Sequence, residues 1–165
     1  MDKQLERISA AMLSAVQKSL ERMAFEEVET PEKAFDQAIF QQNVLWASIE
    51  IREPFKGNLM LIAPEKSALR LSESVYGMGG GELPKEKVTD AVAEMANTLV
   101  GWFIRELFGD RTHFRIGIPT TGAGEPPGCD YQTLSAHYYR VGGCEIKIVL
   151  CGEGFEEKSI DCEID

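Results

Sequence analysis

The chain opens on apolar residues at helical spacing. Leu5, Ile8, Met12, Val16, Leu20 and Met23 recur every three or four positions, and Lys3, Glu6, Arg7, Lys18, Glu21 and Arg22 fall between them. This predicts an amphipathic helix over residues 3–25, in an N-terminal helical segment 1–25. Residues 25–30 read as a short strand stopped by Pro31, and residues 32–42 show no clear period. Two apolar, β-rich runs follow, 44–51 and 55–62, divided by Arg52-Glu53-Pro54, and they predict a hairpin. A helix over 66–76 buries Ala68, Leu69, Leu71 and Val75. The run Gly77-Met-Gly-Gly-Gly81 breaks it, and Pro84 sits at the first turn of a longer helix, 86–108, that ends at Gly109. Beyond it, residues 113–118 read as a strand and 119–130 as a Gly/Pro/Thr-rich loop. Residues 131–141 read as a strand with Leu134, Ala136 and Tyr138 on one face. Gly142-Gly143 makes a tight turn into a final strand, 144–151, where Ile146, Ile148 and Leu150 alternate with Glu145 and Lys147.

Helices in two blocks, with hairpins between and after them, predict an α+β domain of two layers. A mostly antiparallel sheet is packed by about three helices, rather than a parallel βαβ fold. The length of 165 residues suits one domain, 1–165, with a substantial core.

Charge narrows the partners. The net charge is −10, from 17 basic and 27 acidic residues, which argues against nucleic acid and anionic membrane surfaces. No apolar run approaches the ~18 residues needed to span a bilayer. The charged, amphipathic start lacks the apolar core of a signal segment, so the expected location is cytoplasmic. The cysteines Cys129, Cys144, Cys151 and Cys162 form no C-x-x-C pair, and with His113 and His137 they show no convergent metal-ligand spacing. The expectation is reduced thiols, some of them packed in the core, and no metal. The glycine run 77–81 matches neither the P-loop nor the dinucleotide fingerprint, and no strand runs into it. It reads as a link between two helices.

The long helix carries the candidate chemistry. Asp90, Glu94, Asn97 and Gly101 are spaced by 4, 3 and 4 residues and fall within a stripe of about 60°. Val88, Val92, Met95, Leu99 and Phe103 lie opposite. One face is therefore built for burial, while the other offers a carboxylate and a carboxamide one turn apart beside a residue without a side chain.

The pattern Asp-x-x-x-Glu-x-x-Asn-x-x-x-Gly, on a helix that follows a hairpin and a shorter helix, resembles the CheC/CheX family of chemotaxis phosphatases. Residues 55–62 and the helix to Gly77 are similar to the family's segment upstream of the motif. Ile116-Gly-Ile-Pro119 is similar to its strand into a proline loop downstream. The resemblance spans roughly residues 44–150. Only one Glu-x-x-Asn occurs, since the helix over 3–25 lacks it, and this favours the CheX branch over the two-motif CheC type. The resemblance implies a two-layer CheC-like fold and hydrolysis of the aspartyl phosphate on a CheY-like receiver domain. It implies Glu94 and Asn97 as catalytic residues, with Asn97 orienting the attacking water and Glu94 pairing with the receiver's active-site Lys. Gly101 gives clearance for the partner. Asp90 either tunes the same contact or is a solvated acid near the helix N-terminus. No cofactor is expected in this chain; a divalent cation is expected in the receiver. A homodimer through a sheet edge is implied as well. The competing expectation is a non-catalytic module of the same fold that binds receivers or dimerises.

An Asn suits such chemistry because its amide both accepts and donates, so it fixes the direction of a water without taking its proton. It is also a poor residue for a helix interior, so helix propensity does not account for its place there.

Overall fold

The computed structural model describes residues 2–31, 35–41 and 43–154. The helical and strand elements run in the order α1 (Lys3–Val16), a π turn (Gln17–Glu21), α2 (Arg22–Ala24), β1 (Val28–Glu29), β2 (Val44–Glu53), β3 (Gly57–Pro64), α3 (Glu65–Tyr76), α4 (Lys85–Phe108), β4 (Arg115–Ile116), β5 (Thr120–Ala123), β6 (Thr133–Val141) and β7 (Cys144–Gly152). A 3-10 turn, Gln37–Phe40, precedes β2. The strands form one seven-stranded sheet in the order β1-β6-β7-β3-β2-β4, with β5 also on β2, and every pairing is antiparallel.

The helical segment α1–π–α2 is capped by Asp2, whose side chain accepts from the Gln4 N–H. Within it, Ser19 Oγ donates to the Ala15 carbonyl at 2.6 Å, next to the widened π turn. Phe25, in the left-handed region with φ 55°, ends it. The β2–β3 hairpin pairs Val44 with Pro64 through to Ile51 with Gly57. At the β6–β7 turn, Gly142 and Gly143 have φ of 57° and 79°, as a two-residue hairpin of this hand requires.

The described α-helices lie on one face of the sheet. There the inward residues Ala47, Ile49, Ile51, Leu59, Leu61, Ile146, Ile148 and Leu150 meet Met12, Val16, Leu20, Met95, Leu99 and Phe103 in a continuous core. The other face is covered in part: Phe35 and Phe40 pack with Val44, Met60 and Ile62, and Tyr138 closes the group with its ring 6.0 Å and 5.8 Å from theirs.

Three expectations change. Residues 113–118 give only the two-residue β4: the Gly117 N–H still bonds the Glu50 carbonyl of β2, but Pro119 has no N–H to carry the pairing on. Ile118 consequently projects into solvent, 91% exposed. The loop 119–130 contains β5, an edge strand on β2. On β6, Ala136 and Tyr138 face away from the helices, while Ser135, His137, Tyr139 and Val141 are the buried set and a register shift lets Leu134 reach the main core. Both faces of β6 find apolar partners, which hides its alternation.

The cysteine expectation is corrected too. Cys129 and Cys151 form a disulfide, with an S–S distance of 2.13 Å and Cα atoms 6.4 Å apart. The two are 22 residues apart, but β6 folds back on β7 so that Thr133 pairs with Cys151, and the Pro126-Pro127 loop drops onto the sheet. Cys144 is a free, buried thiol, and burial pushes its pKa up. Cys162 lies outside the described residues.

Candidate functional site

The site is built on α4. Pro84 sits at its N-cap and takes the Lys87 and Val88 N–H groups on its carbonyl. Gly109 ends it, with φ 104° and its N–H on the Arg105 carbonyl at 2.8 Å. Between these ends the helix is embedded. Ala91, Val92, Met95, Ala96, Leu99, Val100, Phe103, Ile104, Leu107 and Phe108 are all buried. From Met95 to Ile104, only Asn97, Thr98, Gly101 and Trp102 are not. One strip of α4 is therefore open to a visitor, and the 4-3-4 spacing puts the four residues predicted from sequence on it.

Asp90 and Glu94 are exposed, and Asn97 and Gly101 are half-buried. Among the described residues, the side chains of Glu94 and Asn97 have no hydrogen-bond or ion-pair partner within the chain. Buried polar groups are ordinarily satisfied. These two are spared that demand by solvent and keep their hydrogen-bonding capacity for something outside. Gly101 is not required by internal packing: a Cβ there would touch only Phe114 Cζ, at 3.8 Å. Its absent side chain instead lowers the strip one turn beyond Asn97. The segments 35–41 and 124–130 do not cover the strip. The first packs on Met60, Ile62 and Tyr138, and the second lines a groove with Met60, Ile62 and Val149, all on the sheet face remote from α4.

The borders of the strip differ in character. Near its start, Lys87 lies over the Tyr76 ring, 5.7 Å from the centroid. Near its end, Lys18, Arg22 and Arg105 gather around Trp102 at 5.4, 5.8 and 5.7 Å, and Lys18 also pairs with Glu106. The sequence reading missed this group because Lys18 and Arg22 belong to another helix. One signal was available: Arg105 extends the stripe spacing by four more residues.

No group of three or more His, Cys, Asp or Glu able to hold a metal occurs among the described residues. No helix among them is long and apolar enough to cross a membrane.

The model of the chemotaxis phosphatase CheX family matches residues 45–138, more than half of the chain and all of the candidate strip. The chain belongs to the CheX family. Solved structures share its fold. The chemotaxis protein CheX of Vibrio vulnificus superposes with a TM-score of 0.71 at 19% identity, covering 93% of this chain and 100% of that one. A CheX–CheY–BeF3–Mg complex from Borrelia burgdorferi gives 0.58 at 16% identity, with 90% and 97% covered. The FliM middle domain from Vibrio alginolyticus also has this fold, at 0.61 and 13% identity, with 90% and 93% covered. The fold thus extends beyond CheX proteins, and function rests on the residues that α4 presents. None of the curated proteins compared matches this chain.

Proposed function

We propose that this CheX-family chain is a phosphatase for the aspartyl phosphate of a CheY-like receiver domain. The observation that carries the reading is the pair Glu94 and Asn97, unpartnered and adjacent on the one open strip of α4. Membership of a phosphatase family supports it, and so does the structural relative solved in complex with CheY.

The chemistry follows from the residue types. An aspartyl phosphate is a mixed anhydride. Water attacks phosphorus in line, the bond from phosphorus to the Asp oxygen breaks, and the products are inorganic phosphate and a free carboxylate. The water's proton leaves with the phosphate or to solvent. The Asn97 amide accepts one water hydrogen bond and holds the oxygen toward phosphorus, so its contribution is orientation rather than proton transfer. The receiver supplies the divalent cation and Lys that neutralise the phosphoryl oxygens. Glu94, one turn before Asn97, pairs with that Lys and fixes the register in which the helix enters. Asp90, a further turn back and exposed, adds negative charge on the same side. The low surface at Gly101 admits the partner's backbone.

CheY-type receivers charged with labelled acetyl phosphate should lose their label faster with this protein than alone. Tight receiver binding with an unchanged phosphate lifetime would favour the non-catalytic module instead. Glu94→Ala should weaken receiver affinity more than Asn97→Ala does, by about 1–2 kcal/mol for a charge pair partly reached by solvent. Isothermal titration of both variants checks this, and equal affinities would contradict the division of roles.

The homodimer belongs to the same reading. Beyond its two pairs with β1, at Arg140 and Val141, the outer edge of β6 has no strand partner among the described residues. A second copy adding along that edge would satisfy the free backbone groups. Sedimentation equilibrium at micromolar concentration should give twice the 18.3 kDa chain mass; a single-chain mass at all concentrations rules the dimer out.

A further inference from the structure

The cluster of cations at the far end of the strip has no role in hydrolysis as described above. In a chain of net charge −10, Lys18, Arg22 and Arg105 converge on one half-buried indole. Lys18 is neutralised by Glu106. Among the described residues, Arg22 and Arg105 are in no ion pair, although acidic residues outnumber basic ones in the chain by 27 to 17. Both guanidinium groups lie against the Trp102 ring, and Arg105 also against Phe114 at 5.8 Å, which holds them in place while leaving their donors free.

Their position is as informative as their charge. Arg105 continues the 90-94-97-101 spacing by one more turn, so it lies on the open strip. At 1.5 Å per residue it stands about 12 Å beyond Asn97 and about 16 Å beyond Glu94. That is too far to touch a phosphoryl group held at Asn97, yet well inside the footprint of a small globular partner about 30 Å across. The strip therefore has a polarity. Asp90 and Glu94, with Lys87 at their border, lie at one end, Asn97 is neutral in the middle, and Arg105, with Arg22 of α2 beside it, is positive at the other.

Resting on the phosphatase reading, we infer that Arg22 and Arg105, platformed on Trp102, form a second docking contact with an acidic surface of the receiver beside its phosphorylation site. The partner's chemistry agrees with this. A pocket that holds a divalent cation and a phosphorylated Asp is rich in carboxylates. Its Lys answers Glu94 on one side, leaving negative surface for the guanidinium groups on the other. Two contacts of opposite sign on one helix admit one direction of docking and oppose the reverse, in which like charges would face each other. The attraction reaches beyond contact distance at low salt and so also raises the encounter rate.

The test is charge reversal at two exposed positions, Arg22→Glu with Arg105→Glu, assayed on CheY-type receivers charged with acetyl phosphate over a range of ionic strength. The double variant should raise KM about tenfold at low salt and flatten its salt dependence, while turnover at saturating receiver falls far less. A parallel readout uses Trp46→Phe, which removes the other of the two tryptophans, on the remote face of the sheet. With a receiver whose own tryptophans are replaced, Trp102 then reports alone, and its emission should shift on adding the charged receiver. Wild-type KM and salt slope in the double variant, or an unmoved Trp102 signal at saturating receiver, would overturn the contact. The phosphatase reading fails separately, if wild-type protein leaves the receiver's phosphate lifetime unchanged; in that case the Trp102 titration still decides whether the receiver docks here.

Discussion

Asn97→Ala should fold as the wild type does and slow receiver dephosphorylation by about two orders of magnitude, the usual cost of removing one well-placed polar group from a reacting centre. The expectation of normal folding is physical. Asn97 makes no hydrogen bond within the described chain, lies on the open strip, and is replaced by the best helix former. Thermal unfolding should therefore shift upward slightly or stay put. The loss should fall on kcat, because the amide acts on a water present only in the productive complex, whereas Glu94 acts on association. Single-turnover decay of a labelled receiver at saturating protein separates the two. Full activity in the variant would remove Asn97 from the mechanism and with it the reading of α4 as a catalytic strip.

Acid should destabilise the fold through His137. The ring is buried on β6, 8% exposed, stacked on Tyr139 and joined through Nε2 to Ser135 Oγ at 2.8 Å. Burial disfavours its charged form and lowers its pKa from 6.5 to about 4. The unfolded chain then binds more protons than the folded one between those values, so stability rises with pH across that window. The neutral ring's contribution is complete above about 6.5, declines as pH falls toward 4, and changes no further below. The single-group expectation is a loss of about 2 kcal/mol between pH 7 and pH 5. Urea unfolding at the two pH values measures it, and His137→Asn should show a smaller difference between them. A variant as acid-sensitive as the wild type would place the titration on the carboxylates instead.

How much of this was legible in the sequence depended on whether the deciding contacts were local. The long helix was, because a glycine stop and a wide apolar face specify it within one segment. The Glu94–Asn97 strip was legible for the same reason, as the complement of that face. Edge strand β5 was not: Thr120-Thr-Gly-Ala123 has no alternation, and it pairs only because β2 offers an open side. The buried face of β6 was concealed by a second small core around Phe35 and Phe40, which makes its outer residues apolar as well. The grouping of Lys18 and Arg22 with Trp102 and Arg105 needed the packing of two helices far apart in sequence. The disulfide needed the fold of a whole hairpin.

That disulfide also limits how the sheet can be extended. It joins the segment entering β6 to the end of β7, so the two strands lie inside one covalent ring. While the ring is closed, β6 stays beside β7 even if its hydrogen bonds to that strand break. An incoming strand from a second copy can then be added at the free edge but cannot replace β6 in the sheet. Association at that edge is confined to growth by one strand, and strand exchange between protomers becomes an option only for the reduced hairpin.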